Sequence, residues 1–401
     1  MESRQNFYRN TLENCSNSSE RWRVVKDLLH SRAATVMPDL ASIDNDLLCN
    51  KFNNFFVDKI TTLKQAISDK IAQLASFQVF ADVIFNGVHF NSFKSVSAHD
   101  VSILLNSLNC KTSQADFIPT TLLKSCPSVF SQIIAKLANL SFSQGSFPKG
   151  FKLAQLTPLL KKPGLDNNDL SNYRPISNLN NISKILERLC YNQILSHILS
   201  NPNFNPFQSA YRTSHSTETA LTCTLDNIFH SSDEGFSTLL VSLDLSAAFD
   251  TIDHSILLSR LSTTFGLTGP VLDWFRSYLK GRQQFVCLGS SSSCTISCSS
   301  GVPQGSVLGP LLFNIYTSPV ASIVHSFGIQ QHQYTDDTQL YIRVSTSTAS
   351  ASLLKLESCL TSLNAWYCQN GLALNPSKSN ALLLGTRQRN QSLILIILEF
   401  C

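Results

Sequence analysis

The chain has 401 residues, and its 43% hydrophobic content can bury a core of one large domain or two smaller ones, which excludes a disordered protein. The formal net charge of +4 permits a nucleic-acid partner without requiring one. The N-terminus is polar, unlike a signal peptide, and no apolar run approaches the roughly 18 residues of a membrane span. These features indicate an intracellular protein of the nucleus or cytoplasm, neither secreted nor membrane-spanning.

The N-terminal quarter of the sequence predicts helices. Residues 1 to about 40 alternate charged and apolar positions, which is typical of one or two short helices. From Phe52 to Leu74 apolar residues recur by threes and fours, which predicts an amphipathic helix. A face that packs on other helices is favoured there over an RNA-binding face. Ser97 followed by Asp100 has the pattern of a capping box at a helix start.

From Leu153 onward the pattern changes. AQLTPLL predicts a strand, KKPGLDNNDLSNYRP a basic turn-rich loop, and ISNLNNISKILERLCYNQILSHIL a long helix. QQFVCL predicts a strand, and the serine-rich SSSSCTISCSS after it a hairpin. The terminal LILIILEF predicts one strand or an out-of-register apolar tail.

The cysteines are scattered along the chain. There are 12, without a tight pair, which favours reduced core residues over a disulfide framework. Cys287, Cys294 and Cys298 lack the spacing and the matching downstream pair of a zinc site, so structural zinc is disfavoured.

Three carboxylates follow strand patterns. TLLVSLD predicts a buried strand that ends at Asp244, and the YTDD segment predicts a hairpin with Asp336 and Asp337 at its tip. An isolated YTDD would be an ordinary solvated turn. If the hairpin lies beside the first strand, the three carboxylates can bind two divalent cations, which is the arrangement of phosphoryl-transfer sites.

A glycine-containing turn follows in GVPQGSVLGPLLF. Gly301 and Gly305 allow a tight turn before a helix that starts near Ser306, and Gln304 offers an amide to a base or sugar. No Lys-Ser or Lys-Thr follows the glycines, so the segment is not a Walker loop. A simple turn that caps a helix is the alternative.

Basic residues complete the pattern. Lys161 and Lys162, with Arg174 in SNYRPIS, could hold a triphosphate, although a solvated loop is the ordinary interpretation. Lys378, between a turn and an apolar strand, could donate a proton to departing pyrophosphate.

In this order the segments KKPGLDNNDLSNYRPIS, NPFQSAYRTSHSTETAL, VSLDLSAAFDTIDH, GVPQGSVLGPLLF, YTDDTQLY and GLALNPSKS resemble the reverse transcriptase of non-LTR (LINE-type) retrotransposons. The resemblance covers about residues 100 to 385, and NKFNNFFVDKI is similar to the region that precedes the polymerase in such elements. It implies an α+β right-hand polymerase, with fingers and a palm whose antiparallel sheet is backed by helices, preceded by a helical N-terminal extension. The expected divisions are 1–95, the extension; 96–150, a helical lead-in; and 151–401, fingers and palm.

The resemblance also implies roles for individual residues. Asp244, Asp336 and Asp337 would bind two Mg²⁺ ions, with Mn²⁺ as an alternative, and Lys378 would be the proton donor. Lys161 and Arg174 would face the triphosphate, and Phe249 would lie under the sugar and exclude a 2′-hydroxyl. Gln304 and Gly305 would lie near the template and the incoming base. The expected partners are an RNA template, a DNA primer and dNTPs, and the expected reaction is attack of the primer 3′-hydroxyl on the α-phosphate.

The sequence also departs from the family pattern. Thr335 stands where the family usually has Ala, and SQADFIP where it generally has a Gly-Pro-Asp-Gly turn. The chain ends soon after Lys378, so we expect a fragment without thumb or endonuclease domain. Its alternative function is that of a catalytically silent retrotransposon remnant that at most binds nucleic acid. A nucleotidyl cyclase or similar two-metal enzyme is disfavoured, because it would not need YRPIS, GVPQG and the N-terminal extension together.

Overall fold

The computed structural model describes residue 13 and residues 45–73, 82–108 and 115–400, with side chains to residue 393. The helices predicted within residues 1 to about 40 lie outside this part, residue 13 excepted. In the described stretches no helix combines the length and the apolar character needed to cross a membrane.

The chain forms a mixed α/β structure. Its helices are α1 (Asn45–Gln73), α2 (Ala98–Ser107), α3 (Thr120–Ser125), α4 (Pro127–Ser143), α5 (Asn181–Leu199), α6 (Thr217–Asp233), α7 (His254–Thr263), α8 (Gly269–Leu279), α9 (Gly309–Thr317), α10 (Val320–Ser326), α11 (Ala349–Gln369) and α12 (Arg387–Phe400). Its strands are β1 (Leu153–Leu160), β2 (Tyr173–Asn178), β3 (Ser237–Leu243), β4 (Arg282–Leu288), β5 (Ser291–Ser292), β6 (Ile296–Cys298), β7 (Gln330–Tyr334), β8 (Asp337–Val344) and β9 (Asn380–Leu384).

Two sheets organise these elements. The four-stranded sheet has the order β7-β8-β3-β9, and all of its pairs are antiparallel. The five-stranded sheet has the path β2-β1-β4-β5 with β6 also paired to β4, and it is mixed because β1 and β4 run parallel. The buried pattern of β3, in which six of seven residues are buried, follows from its central place between β8 and β9.

The main hydrophobic core joins the four-stranded sheet to the helices around it. The Trp274 ring stacks on that of Tyr278 with centroids 5.6 Å apart, and Phe147 meets Trp274 edge-on at 5.3 Å. The buried Trp274 indole donates a hydrogen bond to Ser141 Oγ at 2.9 Å, so its polar atom is satisfied. This aromatic cluster gives α8 a fixed position against α4.

The amphipathic helix predicted from Phe52 is confirmed as α1, and it connects two parts of the structure. At one end the buried Phe52 ring meets Tyr173 of β2 edge-on at 5.0 Å, and Asn53 Nδ2 donates to Cys294 O at 2.8 Å. At the other end Ile67 is buried in a cluster with Cys368 of α11. The apolar face of α1 therefore packs on a sheet at one end and on a helix at the other.

Three predictions of where an element begins or of its type are wrong. YRPISN forms strand β2 rather than loop and helix, so the long helix begins at Asn181. The helix expected near Ser306 begins at Gly309. The terminal apolar run is part of helix α12, neither a strand nor an extended tail, and Leu393 of this helix is buried.

Other elements predicted within the described residues are confirmed. Strand β1 covers AQLTPLL and strand β4 covers QQFVCL, with β5 and β6 paired to β4 across the serine-rich segment. Ser97 and Asp100 form the predicted capping box at the start of α2.

Candidate active site

The predicted carboxylates lie at one end of the four-stranded sheet. β3 ends at Leu243, which is opposite Thr338 of β8, so Asp244 and Asp337 follow at the adjoining positions of the two strands. Tyr334 is opposite Asp337, and Thr335 and Asp336 form the two-residue turn between β7 and β8. The predicted strand end and the predicted hairpin are both confirmed.

The three carboxylates affect one another electrostatically. Burial raises the pKa of Asp336, and the charges of Asp337 and Asp244 raise it further, whereas Lys378 lowers it. Desolvation also raises the pKa of Asp337, although that residue keeps an exposed surface, and Asp244 adds to the shift. Mutual repulsion of this kind is what a bound cation would relieve.

The donor set fits a divalent cation in its chemistry, since Mg²⁺ prefers carboxylate oxygens. Asp244 Oδ2 is buried and has no hydrogen-bond partner within the described residues, although the Lys378 ammonium lies 3.7 Å from it. As the side chains stand, no group of three or more His, Cys, Asp or Glu in the described stretches is arranged to hold a metal ion. The side chains would have to rotate before all three carboxylates could bind the same two metal ions.

Lys378 lies beside Asp244 at the end of β3. The backbone N–H of Asn375 donates to Asp244 O at 2.8 Å, and Ser379 Oγ donates to Asn375 O at 2.9 Å. These bonds fix the turn before β9 against the end of β3. Lys378 Nζ consequently lies 3.7 Å from Asp244 Oδ2, with most of its side chain exposed.

The glycine-containing segment is held on two sides. Gly301 has φ +80°, and a Cβ there would lie 2.7 Å from Asp250 O; Gly305 has φ +113°, and a Cβ there would lie 2.5 Å from Ser177 O. Ser177 N also donates to Gln304 O at 2.9 Å. The two glycines thus allow the segment to run close to β2 and to the turn after β3.

Phe249 lies in the turn after β3. Its half-buried ring stacks on Phe313 of α9, with centroids 4.8 Å apart and planes 23° from parallel. Val302 N donates to Phe249 O at 2.9 Å, which joins this turn to the glycine-containing segment. Packing on one ring face fixes the orientation of the side chain.

The basic residues from the loop lie on exposed positions. Lys161 Nζ donates to Ser171 O at 2.7 Å, and burial together with the charges of Lys59 and Lys378 lowers the Lys161 pKa. Arg174 is exposed on β2, opposite Leu159 of β1.

Three side chains that support the site were not predicted. These are Gln208, which makes two hydrogen bonds to Thr335; Asp250, whose Oδ2 accepts from Gln304 Nε2 at 2.9 Å; and the buried Glu187, which accepts from Val307 N at 2.8 Å. Gln208 is in the NPFQSAYR segment and Asp250 is in VSLDLSAAFD, so both had a sequence signal. Their hydrogen-bond partners are distant in sequence, and no sequence pattern indicated those contacts.

Comparisons with known proteins identify the family of this chain. The model of the family described as reverse transcriptase (RNA-dependent DNA polymerase) matches residues 160–394, more than half of the chain. A probable RNA-directed DNA polymerase from transposon BS of Drosophila melanogaster is 30% identical over 71% of this chain and 32% of the relative. The probable RNA-directed DNA polymerase from transposon X-element of the same species is 32% identical over 54% of this chain and 23% of the relative. The RNA-directed DNA polymerase from mobile element jockey of that fly is 26% identical over 71% of this chain and 31% of the relative.

The chain spans at most about a third of the length of these relatives. The matched region contains both strands that carry the carboxylates, the glycine-containing segment and the Lys378 turn. On the family match and the retrotransposon relatives, the chain belongs to the reverse transcriptases of non-LTR retrotransposons.

Proposed function

We propose that this chain is the RNA-directed DNA polymerase part of a retrotransposon protein. The observation that carries the proposal is the meeting of Asp244 with the Asp336–Asp337 hairpin at one end of the four-stranded sheet. The primer 3′-hydroxyl oxygen attacks the α-phosphorus of a dNTP, a new phosphodiester bond forms, and pyrophosphate leaves.

Asp244, Asp336 and Asp337 would hold two Mg²⁺ ions, with Mn²⁺ as an alternative. Bound there, the ions would supply activation of the 3′-hydroxyl and charge neutralisation at the leaving phosphates. Lys378, 3.7 Å from Asp244, is placed to give a proton to the departing pyrophosphate. Its exposure is consistent with contact to a substrate rather than with a structural ion pair.

The substrate would be held from three sides. Lys161 and Arg174 offer exposed positive charge to the triphosphate, and the fixed Phe249 ring lies under the sugar, where it excludes a 2′-hydroxyl. Gln304 and Gly305 lie near the template and the incoming base, where the absence of a side chain at Gly305 permits a close backbone approach.

The architecture would be that of a right-hand polymerase. The four-stranded sheet and its helices would form the palm and the five-stranded sheet would belong to the fingers, both within residues 151–401. Residues 1–95 form the extension, of which α1 packs on the five-stranded sheet, and residues 96–150 form a helical lead-in. The partners would be an RNA template, a DNA primer and dNTPs, which the chain would meet in the nucleus or cytoplasm.

Primer extension tests the proposal. An annealed RNA template with dNTPs and Mg²⁺ should be copied by the wild type and not by Asp336→Asn, because the variant removes a ligand charge at nearly constant volume. Asp226→Asn, at an exposed position of α6, is the matched control and should extend as the wild type does.

Two outcomes would count against the proposal. Extension by Asp336→Asn at the wild-type rate would refute the metal assignment. A folded wild type that binds the template yet does not extend the primer would favour the silent remnant.

A further inference from the structure

Gln208 holds the turn that carries the catalytic carboxylates. Its Nε2 donates to Thr335 O at 3.0 Å, and its Oε1 accepts from Thr335 N at 2.9 Å. Oε1 also accepts from Ala210 N at 3.0 Å, which fixes the orientation of the amide. The side chain is fully enclosed, since Gln208 is 1% exposed. One amide thus satisfies both backbone groups of a single turn residue, 127 positions away in sequence.

Thr335 needs such support because its backbone is strained. It has φ +61° at the first position of a two-residue hairpin turn. Turns that close two-residue hairpins require positive φ there and normally have Gly, Asn or Asp. A β-branched residue with positive φ is a rare outlier, and such strain persists only where the surroundings impose it. The turn is therefore not held by its own sequence.

The rest of the segment is anchored elsewhere. Ser209 N donates to Gln333 O at 3.0 Å, and Gln333 N donates to Phe207 O at 2.9 Å. These backbone bonds fix residues 207–209 beside β7 before the turn begins. The Gln208 side chain then reaches beyond the end of the strand to the turn itself, which separates its role from the anchoring of the strand.

We propose that Gln208 is a positioning residue whose amide keeps the Thr335–Asp336 turn in the conformation that presents Asp336 and Asp337 to divalent cations. The inference rests on the proposed function for the role of these carboxylates. Gln208 itself contacts no reacting group. It acts through the peptide groups that flank Thr335, one bond away from Asp336.

Direct Mn²⁺ binding, measured by electron paramagnetic resonance of the full chain, tests the inference without any need for turnover. Gln208→Met keeps the length of the side chain and removes both hydrogen bonds to Thr335, together with the one from Ala210 N. Two such hydrogen bonds stabilise the turn by a few times the thermal energy RT. We therefore expect the variant to bind Mn²⁺ with a roughly tenfold weaker affinity. Thr335→Gly removes the strain, so the Gln208→Met/Thr335→Gly double variant should recover most of the wild-type affinity.

The matched control is Gln331→Met on the neighbouring β7. Gln331 is also buried, and within the described residues neither polar atom of its side chain has a hydrogen-bond partner. The same substitution there should leave the Mn²⁺ affinity unchanged. A general packing defect would affect both methionine variants and would not be rescued by glycine at 335.

The outcomes separate this inference from the polymerase proposal. A wild type that binds Mn²⁺ in an Asp336-dependent way but extends no primer overturns the polymerase function and leaves the Gln208 comparison intact. Wild-type affinity in Gln208→Met overturns the inference. So does a loss that Thr335→Gly fails to restore, or a wild type whose Mn²⁺ binding does not depend on Asp336.

Discussion

Replacement of Asp250 by Asn should stabilise the protein at neutral pH. The Asp250 carboxyl lies deep in the turn after β3, although the residue as a whole keeps some exposed surface. Burial raises its pKa from 3.8 to about 6, against the opposing effects of the Gln304 hydrogen bond and the Lys59 charge. An increase of roughly two pKa units means that folding disfavours the charged carboxylate, relative to the neutral acid, by a free energy of about 3 kcal/mol. Asn at 250 keeps an acceptor for Gln304 and removes the buried charge.

The sign of the pH dependence follows from the raised pKa. Between pH 3.8 and 6 the folded protein binds more protons at Asp250 than the unfolded chain does, so its stability falls as the pH rises through this window. The unfavourable contribution is absent below the window and complete above it. The free energy of unfolding of Asp250→Asn minus that of the wild type should therefore grow from near zero at pH 4 to about 3 kcal/mol, as an upper limit, at pH 7.5.

Urea denaturation from pH 4 to pH 8 measures this difference. Subtraction of the wild type cancels the pH effects of Asp336 and Glu187, whose pKa values burial also raises. Asp100→Asn is the control, because hydrogen bonds from Ser97 lower the pKa of Asp100 and its stabilising contribution grows as the pH rises. The two variants should show slopes of opposite sign. A difference for Asp250→Asn that does not change with pH would refute the reasoning.

Two further predictions concern the substrate residues. Phe249→Ala should increase the incorporation of ribonucleotides relative to deoxynucleotides in an active preparation, whereas Phe249→Tyr, which keeps the ring, should not; negligible ribonucleotide incorporation by the Ala variant would exclude the steric role. Gly305→Ala should lower the free energy of unfolding by about 2 kcal/mol or more, because its φ is +113° and its Cβ would lie 2.5 Å from Ser177 O. Gly164→Ala has positive φ in open space, so it should cost less in the same denaturation assay, and an equal loss in both would show that the Ser177 contact does not matter.

Local patterns were sufficient to predict the elements that carry the carboxylates. The apolar run before Asp244 indicated a buried strand, and β3 is central in its sheet. Alternation around YTDD indicated a hairpin, and β7 and β8 form one. In both cases the pattern of the sequence and the tertiary environment favour the same structure.

Two elements were mispredicted because tertiary pairing overrides a local signal. The sequence predicted a loop and then a helix across YRPISN, yet this segment forms β2 at the end of the sheet path. Among the described strands β2 pairs only with β1, so the backbone donor that Pro175 lacks is tolerated. The terminal LILIILEF run has strong β propensity, but it forms α12, with Leu393 buried. The β propensity of an apolar segment does not determine which element it packs against in the folded protein.

Two energetically unfavourable features lie around the proposed site. Thr335 has a backbone conformation that Gly would adopt without strain, and Asp250 is a buried carboxyl where Asn would avoid desolvation of a charge. Each is compensated by a glutamine distant in sequence, Gln208 for the first and Gln304 for the second. Neither arrangement would be needed for stability alone. Since strain and buried charge concentrate where a protein acts, they support the placement of the site independently of the three carboxylates.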